Sequence, residues 1–193
     1  KKSEQFLYRW NILHSQDKKH IAVRISTGVE FLKINVNWFS SSLEYVSTAT
    51  IETKHVKQSS ELYDETISNN FNYFCSIYDT QQEDKALIVY GSFTNGNVAK
   101  SKLSISEQNI FSGTLAFNHV NQELIISGFF GTKDKYKDTY AGFYNRTLST
   151  QNFEETSFYK DLISEETIKR LKDNRTNSER QARKKSINLR PHN

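Results

Sequence analysis

The stretch ELIISGFFGTKDKYKDTYAGFYNRTLS, residues 123–149, decides the fold. It reads as an apolar strand, a lysine-rich surface loop and a second, aromatic strand, the pattern of an antiparallel hairpin. It has a counterpart upstream. KALIVYGSF (85–93) aligns with QELIISGFF (122–130), setting Gly91 on Gly128 and Leu87 on Leu124. Each is followed by a polar turn and another strand. After the first comes TNGN, with the hairpin pair Asn95-Gly96, and then VAKSKLSIS. After the second come GTKDKYKD and YAGFYNRTL. Glycines inside strands such as ISGFFG and YAGFY point to a bulge or to close backbone packing.

Outward from this stretch the same plan recurs. FLYRWNIL, HIAVRIS, VEFLKINVNWF and SLEYVSTATIET are four successive strand candidates, the first two joined by the turn HSQDKK. The 13 Phe and 10 Tyr suit strands. With 7 Gly and 1 Pro, the chain lacks the usual turn residues, which predicts long loops rather than tight, regular turns. The polar residues 53–70 read as a loop or short helix between units. The expected fold is therefore mainly β, with antiparallel, propeller-like repeat units at about 6–52, 70–112 and 113–157. Propellers close with four blades or more, so about three units imply an open sheet, a sandwich, or a fragment of a larger propeller. Met is absent, so the chain as read lacks an initiator, and an export signal upstream would not be visible.

At about residue 160 the composition changes. Residues 1–159 form the expected β domain, and 160–193 a basic helical or extended tail. The net charge of +4 comes from that tail. Ser164 is an N-cap candidate, with Glu165 and Glu166 in the first helical turn. Beyond Asn174 the sequence is almost wholly polar and cannot bury enough surface to fold alone. The tail carries an apolar set, Ile168, Leu171, Ile187 and Leu189, and a cationic set, Arg180, Arg183, Lys184 and Lys185. Together these eight are the expected partner-binding residues. The partner is another protein chain or a missing part of the parent protein. Nucleic acid and anionic lipid are the weaker alternatives, since no aromatic residue follows Tyr159 to stack on bases.

Catalytic signatures are missing. The sequence holds no phosphate-binding glycine loop, nucleophile elbow or HExxH pair. The histidines, His14, His20, His55, His119 and His192, do not stand at metal-ligand spacing. Asp134 and Asp138 are interleaved with lysines that would compete with a calcium ion. Glu83-Asp84 and Glu154-Glu155 read as surface charge. Cys75 lies in FNYFCSIY, where Phe71, Tyr73, Cys75 and Ile77 alternate onto one strand face, so it is expected in the core. No cofactor, metal or catalytic residue is expected, and no run is apolar enough to span a membrane. The leading expectation is a non-enzymatic binding or scaffolding module. Its rivals are a hydrolase acting on glycans or peptides through loop carboxylates, and a nucleic-acid binder working through the tail.

IISGFFG, TYAGFYNRTLS, FEETSFYKDLI and RQARKKSINL, with ILHSQDKKHIAVRIS upstream, resemble a group of uncharacterised β-propeller-like proteins of Bacteroidota-type bacteria. The resemblance is best over residues 85–189 and carries no catalytic motif. It implies a larger, exported protein of the periplasm or cell envelope.

Overall fold

The computed structural model describes residues 9–27, 31–57, 62–79, 86–105, 108–134, 137–167 and 169–170. It is mainly β and antiparallel. The first sheet has the order β1 (Arg9–His14), β2 (His20–Thr27), β3 (Phe31–Ser40) and β4 (Tyr45–Lys57). The second is β5 (Leu62–Ile67), β6 (Tyr73–Asp79), β7 (Ala86–Ser92) and β8 (Val98–Leu103). In the third, β10 (Thr114–Asn118), β11 (Glu123–Asp134), β12 (Lys137–Ser149) and β13 (Glu155–Leu162) follow one another, and the short β9 (Asn109–Ile110) pairs with β11. Each sheet is thus a meander of consecutive strands. The first strands lie together, β5 against β1 on one side and β10 on the other.

The second sheet is the middle layer, and its alternation feeds two cores. Along β6, Tyr73, Cys75 and Ile77 point to the first sheet, where they meet Ile34, Val36, Trp38 and Ile51. Phe74 points the other way, into the core with Leu124, Ile126, Phe130 and Tyr144 of the third sheet. Cys75 is fully buried, as its alternation requires.

The turns are tight, contrary to the expectation of long loops. Six hairpins join first to second and third to fourth strands, each through four or five residues. Each holds one residue in the left-handed region: Lys18, Leu43, Phe71, Gly96, Gln122 or Phe153, with φ between 56° and 82°. Only one of the six is glycine. In place of glycine, a Ser or Asn side chain at each turn takes up backbone N–H groups. Ser15 Oγ accepts from His20 N (3.0 Å) and Ser40 Oγ from Glu44 N (3.1 Å). Ser68 Oγ accepts from Asn72 N (3.1 Å) and Asn95 Oδ1 from Asn97 N (3.0 Å). Asn118 Oδ1 accepts from Val120 N (3.0 Å) and Ser149 Oγ from Gln151 N (3.2 Å). The turns also bind one another: Asp17 N donates to Asn69 Oδ1 (3.2 Å), and Thr94 N to Asn72 Oδ1 (3.2 Å).

Three further expectations need correction. Residues 53–70 are mostly strand, since β4 runs to Lys57 and β5 occupies Leu62–Ile67. Their hydrophobic pattern is weak because β5 gives its polar side chains to the neighbouring sheets. The alignment of 85–93 with 122–130 pairs a third strand with a second, so the true repeat joins β2, β6 and β11, about 50 residues apart. The lysine-rich loop is also largely strand. Here β11 and β12 continue past a bulge at Phe130/Gly131, setting Lys133 opposite Asp138 and Asp134 opposite Lys137.

Gly128 earns its place by close approach. A Cβ there would overlap the Ser112 carbonyl oxygen, which also accepts from the Tyr144 hydroxyl (2.7 Å).

Candidate functional site

Among the described residues, a dense group of ionisable side chains lies between the first and second sheets, near their innermost strands. Arg24 on β2 reaches Glu65 on β5 through Nε (3.1 Å) and Nη2 (2.9 Å). Glu65 also accepts from Asn11 Nδ2 (2.6 Å) and from the Tyr73 hydroxyl (2.7 Å). Arg24 Nη1 donates further to Ser26 Oγ and the Arg9 carbonyl, both at 3.1 Å. Burial pushes the Glu65 carboxyl up, but hydrogen bonds from Arg24, Asn11 and Tyr73 outweigh it and hold the group below its ordinary value. Burial, with Glu65 close by, pushes Tyr73 well up, and burial pushes the Cys75 thiol up too. Each Glu65 oxygen takes two donors, so its lone pairs are filled and it has no capacity left to accept a substrate proton. The cluster is a strut between sheets, with the carboxylate held ionised.

Asp64, next along β5, does the same on the opposite side. Its Oδ2 accepts from Leu115 N of β10 (2.7 Å). Adjacent carboxylates on the innermost strand therefore tie the second sheet to both neighbours. Arg146 of β12 adds another tie, pairing with Glu155 (2.6 Å) and donating to the Lys102 carbonyl of β8 (3.4 Å).

A cleft of about 340 Å³ opens between the first two sheets on the side of the hairpin turns. Trp38 and Phe71 meet edge to face along it, with ring centroids 5.4 Å apart, and Phe93 lies opposite. Ser47, Thr48, Ala49, Thr50, Ser92, Thr94 and Gly96 line the remainder. Its volume is within the roughly 300–1,000 Å³ of ligand pockets, and its lining mixes three aromatic side chains with five Ser and Thr residues. Phe71 gets there because its left-handed turn swings the ring back between His20 (4.0 Å) and Trp38.

The expected partner-binding residues Ile168, Leu171, Arg180, Arg183, Lys184, Lys185, Ile187 and Leu189 lie outside the described residues. The basic helical arm is not borne out. Residues 160–162 belong to β13, and helix occurs among the described residues only at 165–167 and 169–170. Ser164 does cap it, accepting from Thr167 N (3.3 Å), and Arg170 pairs with Glu166 (2.6 Å). Among the described residues no group of three His, Cys, Asp or Glu side chains could hold a metal, and no helix is long and apolar enough to cross a membrane. Sequence reasoning missed Arg24, Glu65 and the cleft. The one signal for the first two was charge on the core-facing positions of strands.

These strands and sheets define a fold already seen in enzymes. Two point variants of the Synechocystis apocarotenoid oxygenase share it with TM-scores of 0.50 at 10% identity, over 82% and 84% of this chain. A third variant gives 0.48 at 9% identity over 80%. This chain spans 38–40% of the length of those solved chains. No family model and no curated protein sequence matches it. The expectation of a non-enzymatic scaffold gives way here, because the solved chains that share this fold are variants of an oxygenase.

Proposed function

We propose that the chain is a three-blade arc of a β-propeller-type enzyme domain, whose inter-sheet cleft takes an elongated apolar substrate of the apocarotenoid kind. The observation that carries this reading is the likeness in fold to the apocarotenoid oxygenase variants over more than four-fifths of the chain. Two features support it. Sheets of consecutive strands with their first strands side by side are what neighbouring propeller blades would present. Three aromatic residues, Trp38, Phe71 and Phe93, are among those that line the cleft. The residues described supply no metal-ligand group, so no chemical step is assigned to them, and their part is to bind and orient the substrate.

Trp38 reports on the cleft directly. In a Trp10→Phe variant it is the sole tryptophan, and titration with an apocarotenal should quench its emission saturably. Ser47→Arg, which places a long charged side chain beside Trp38 at the exposed lip, should abolish the quench. A flat titration, or one indifferent to Ser47→Arg, overturns the reading.

A further inference from the structure

A second cavity, of about 270 Å³, lies between the second and third sheets and is lined by Ile105, Gln108, Phe130, Lys160, Asp161 and Leu162. The bridge from Ile105 to Gln108, between β8 and β9, forms one wall. The third sheet forms the other. Phe130 stands opposite Gly142 and Gly142 opposite Leu162, so the three share one face; Lys160, opposite Tyr144, shares it too. That face turns inward, because Phe130 and Tyr144 belong to the core shared with the second sheet. Gly142 keeps the wall close, since a Cβ there would run into the Phe130 ring. Two polar groups of this cavity are unmatched. Gln108 Oε1 is buried without a hydrogen-bond partner among the described residues. A buried acceptor in that state costs free energy until a donor reaches it. Lys160 is exposed and has no ion pair among the described residues. The Asp161 carboxylate is engaged elsewhere: Oδ1 accepts from Leu162 N (2.8 Å) and Oδ2 from the Tyr159 hydroxyl (3.1 Å). Asp161 stands opposite Phe143, on the other face of the sheet.

We propose that this cavity binds an apolar α-carboxylate with an adjacent N–H, the chemistry of a peptide's C-terminal residue or of an N-acylated apolar amino acid. The carboxylate sits on the Lys160 ammonium, the N–H donates to Gln108 Oε1, and the apolar side chain packs on Ile105, Phe130 and Leu162. Each requirement removes a rival. An uncharged apolar molecule leaves the cation unused, and a fatty acid brings no donor for Gln108. A phosphate or a sugar sets polar surface against three apolar side chains. The size agrees, since 270 Å³ is at the small end for ligand pockets and suits a single residue rather than a drug-sized molecule. A bond from an ammonium to a carboxylate is about twice as strong as a neutral one, and capture of a terminal carboxylate is a recurring mode of peptide recognition.

The site lies on the other side of the second sheet from the Trp38 cleft, so it stands or falls apart from the substrate reading. The test is an amide NMR titration of the full 193-residue chain with N-acetyl-leucine. Saturable shifts should centre on Ile105, Gln108, Phe130 and Leu162, with a Kd on the order of 1 mM for so small a ligand. N-acetyl-leucinamide, which lacks the carboxylate, should bind the parent about tenfold more weakly, and Lys160→Met should erase that difference. The ester analogue, with oxygen in place of the N–H, should also bind the parent more weakly, and Gln108→Leu should erase that difference. Lys160 is exposed and Gln108→Leu removes an unpaired acceptor, so both variants should keep the parent spectrum away from the cavity. The peptide Gly-Gly-Ser-Gly-Leu separates the two sources: binding as tight as that of N-acetyl-leucine assigns the site to chain ends, and exclusion assigns it to the free acylated amino acid. Shifts that do not saturate, that centre on Trp38 and Phe71, or that discriminate among the ligands equally in parent and variants overturn the proposal.

Discussion

Arg24 and Glu65, 41 residues apart in sequence, are joined by two hydrogen bonds across the gap between the first two sheets. Their side chains are each 9% exposed, so the pair is a buried one. Breaking a buried pair by removing one partner leaves an uncompensated charge and costs about 3–5 kcal/mol. Glu65→Ala should therefore lower the urea midpoint far more than Arg24→Met with Glu65→Leu, which removes both charges. Equal losses for the single and double variants would show that the charges do not depend on each other.

Acid should act through the same carboxylate. Its folded pKa is depressed below 4.5, so the stability it contributes is fully present above about pH 4.5 and is lost as pH falls through the folded value. Unfolding midpoints from about pH 6 to about pH 3 should fall for the parent and fall less for Glu65→Gln. Parallel curves would assign the acid sensitivity to other groups.

The turns predict opposite outcomes for chemically similar changes. Leu43 is 70% exposed at φ 64°, so Leu43→Gly relieves left-handed strain and should stabilise by roughly 0.5–1 kcal/mol. Phe71 has a like conformation at φ 58°, but its ring packs on His20 and Trp38. Phe71→Gly should destabilise by about 2 kcal/mol or more. Thermal melts of the two variants measure both signs.

Cys75 should resist thiol reagents. It has no exposure, and burial pushes its thiol pKa up, so little thiolate exists to attack. Labelling with an aromatic disulfide should be slow in the native protein and fast in urea. Fast native labelling would place the β6 register in error.

Gly128→Ala should destabilise by more than about 3 kcal/mol, because the overlap is with backbone rather than a side chain that can turn aside. Urea denaturation measures it. A loss below about 1 kcal/mol would show that Ser112 and its Tyr144 bond can shift.

The strands of the first sheet were legible because Ala22 and Ile34, Val36, Trp38 alternate cleanly with less buried neighbours. Those of β5 were not. Asp64 and Glu65 face partners 51 and 41 residues away, and no local pattern announces a contact at such separation. The turns were misread for a different reason. Leu43, Phe71 and Phe153 occupy a conformation normally left to glycine, and the Ser and Asn side chains that stabilise them resemble ordinary loop polarity. The cleft depends on where Phe71 and Phe93 meet Trp38 in space, which strand periodicity does not encode.

Because strand order within each sheet is chain order, nearly every strand pairs with its immediate predecessor. Contacts within a sheet are then local, and local contacts form quickly. The ties between sheets, Arg24 to Glu65 and Asp64 to Leu115, close far longer loops and belong late in folding. Their loss should therefore speed unfolding more than it slows folding. The residues that join the sheets thus govern how long the native state lasts, while the Ser- and Asn-capped hairpins govern how soon it is reached.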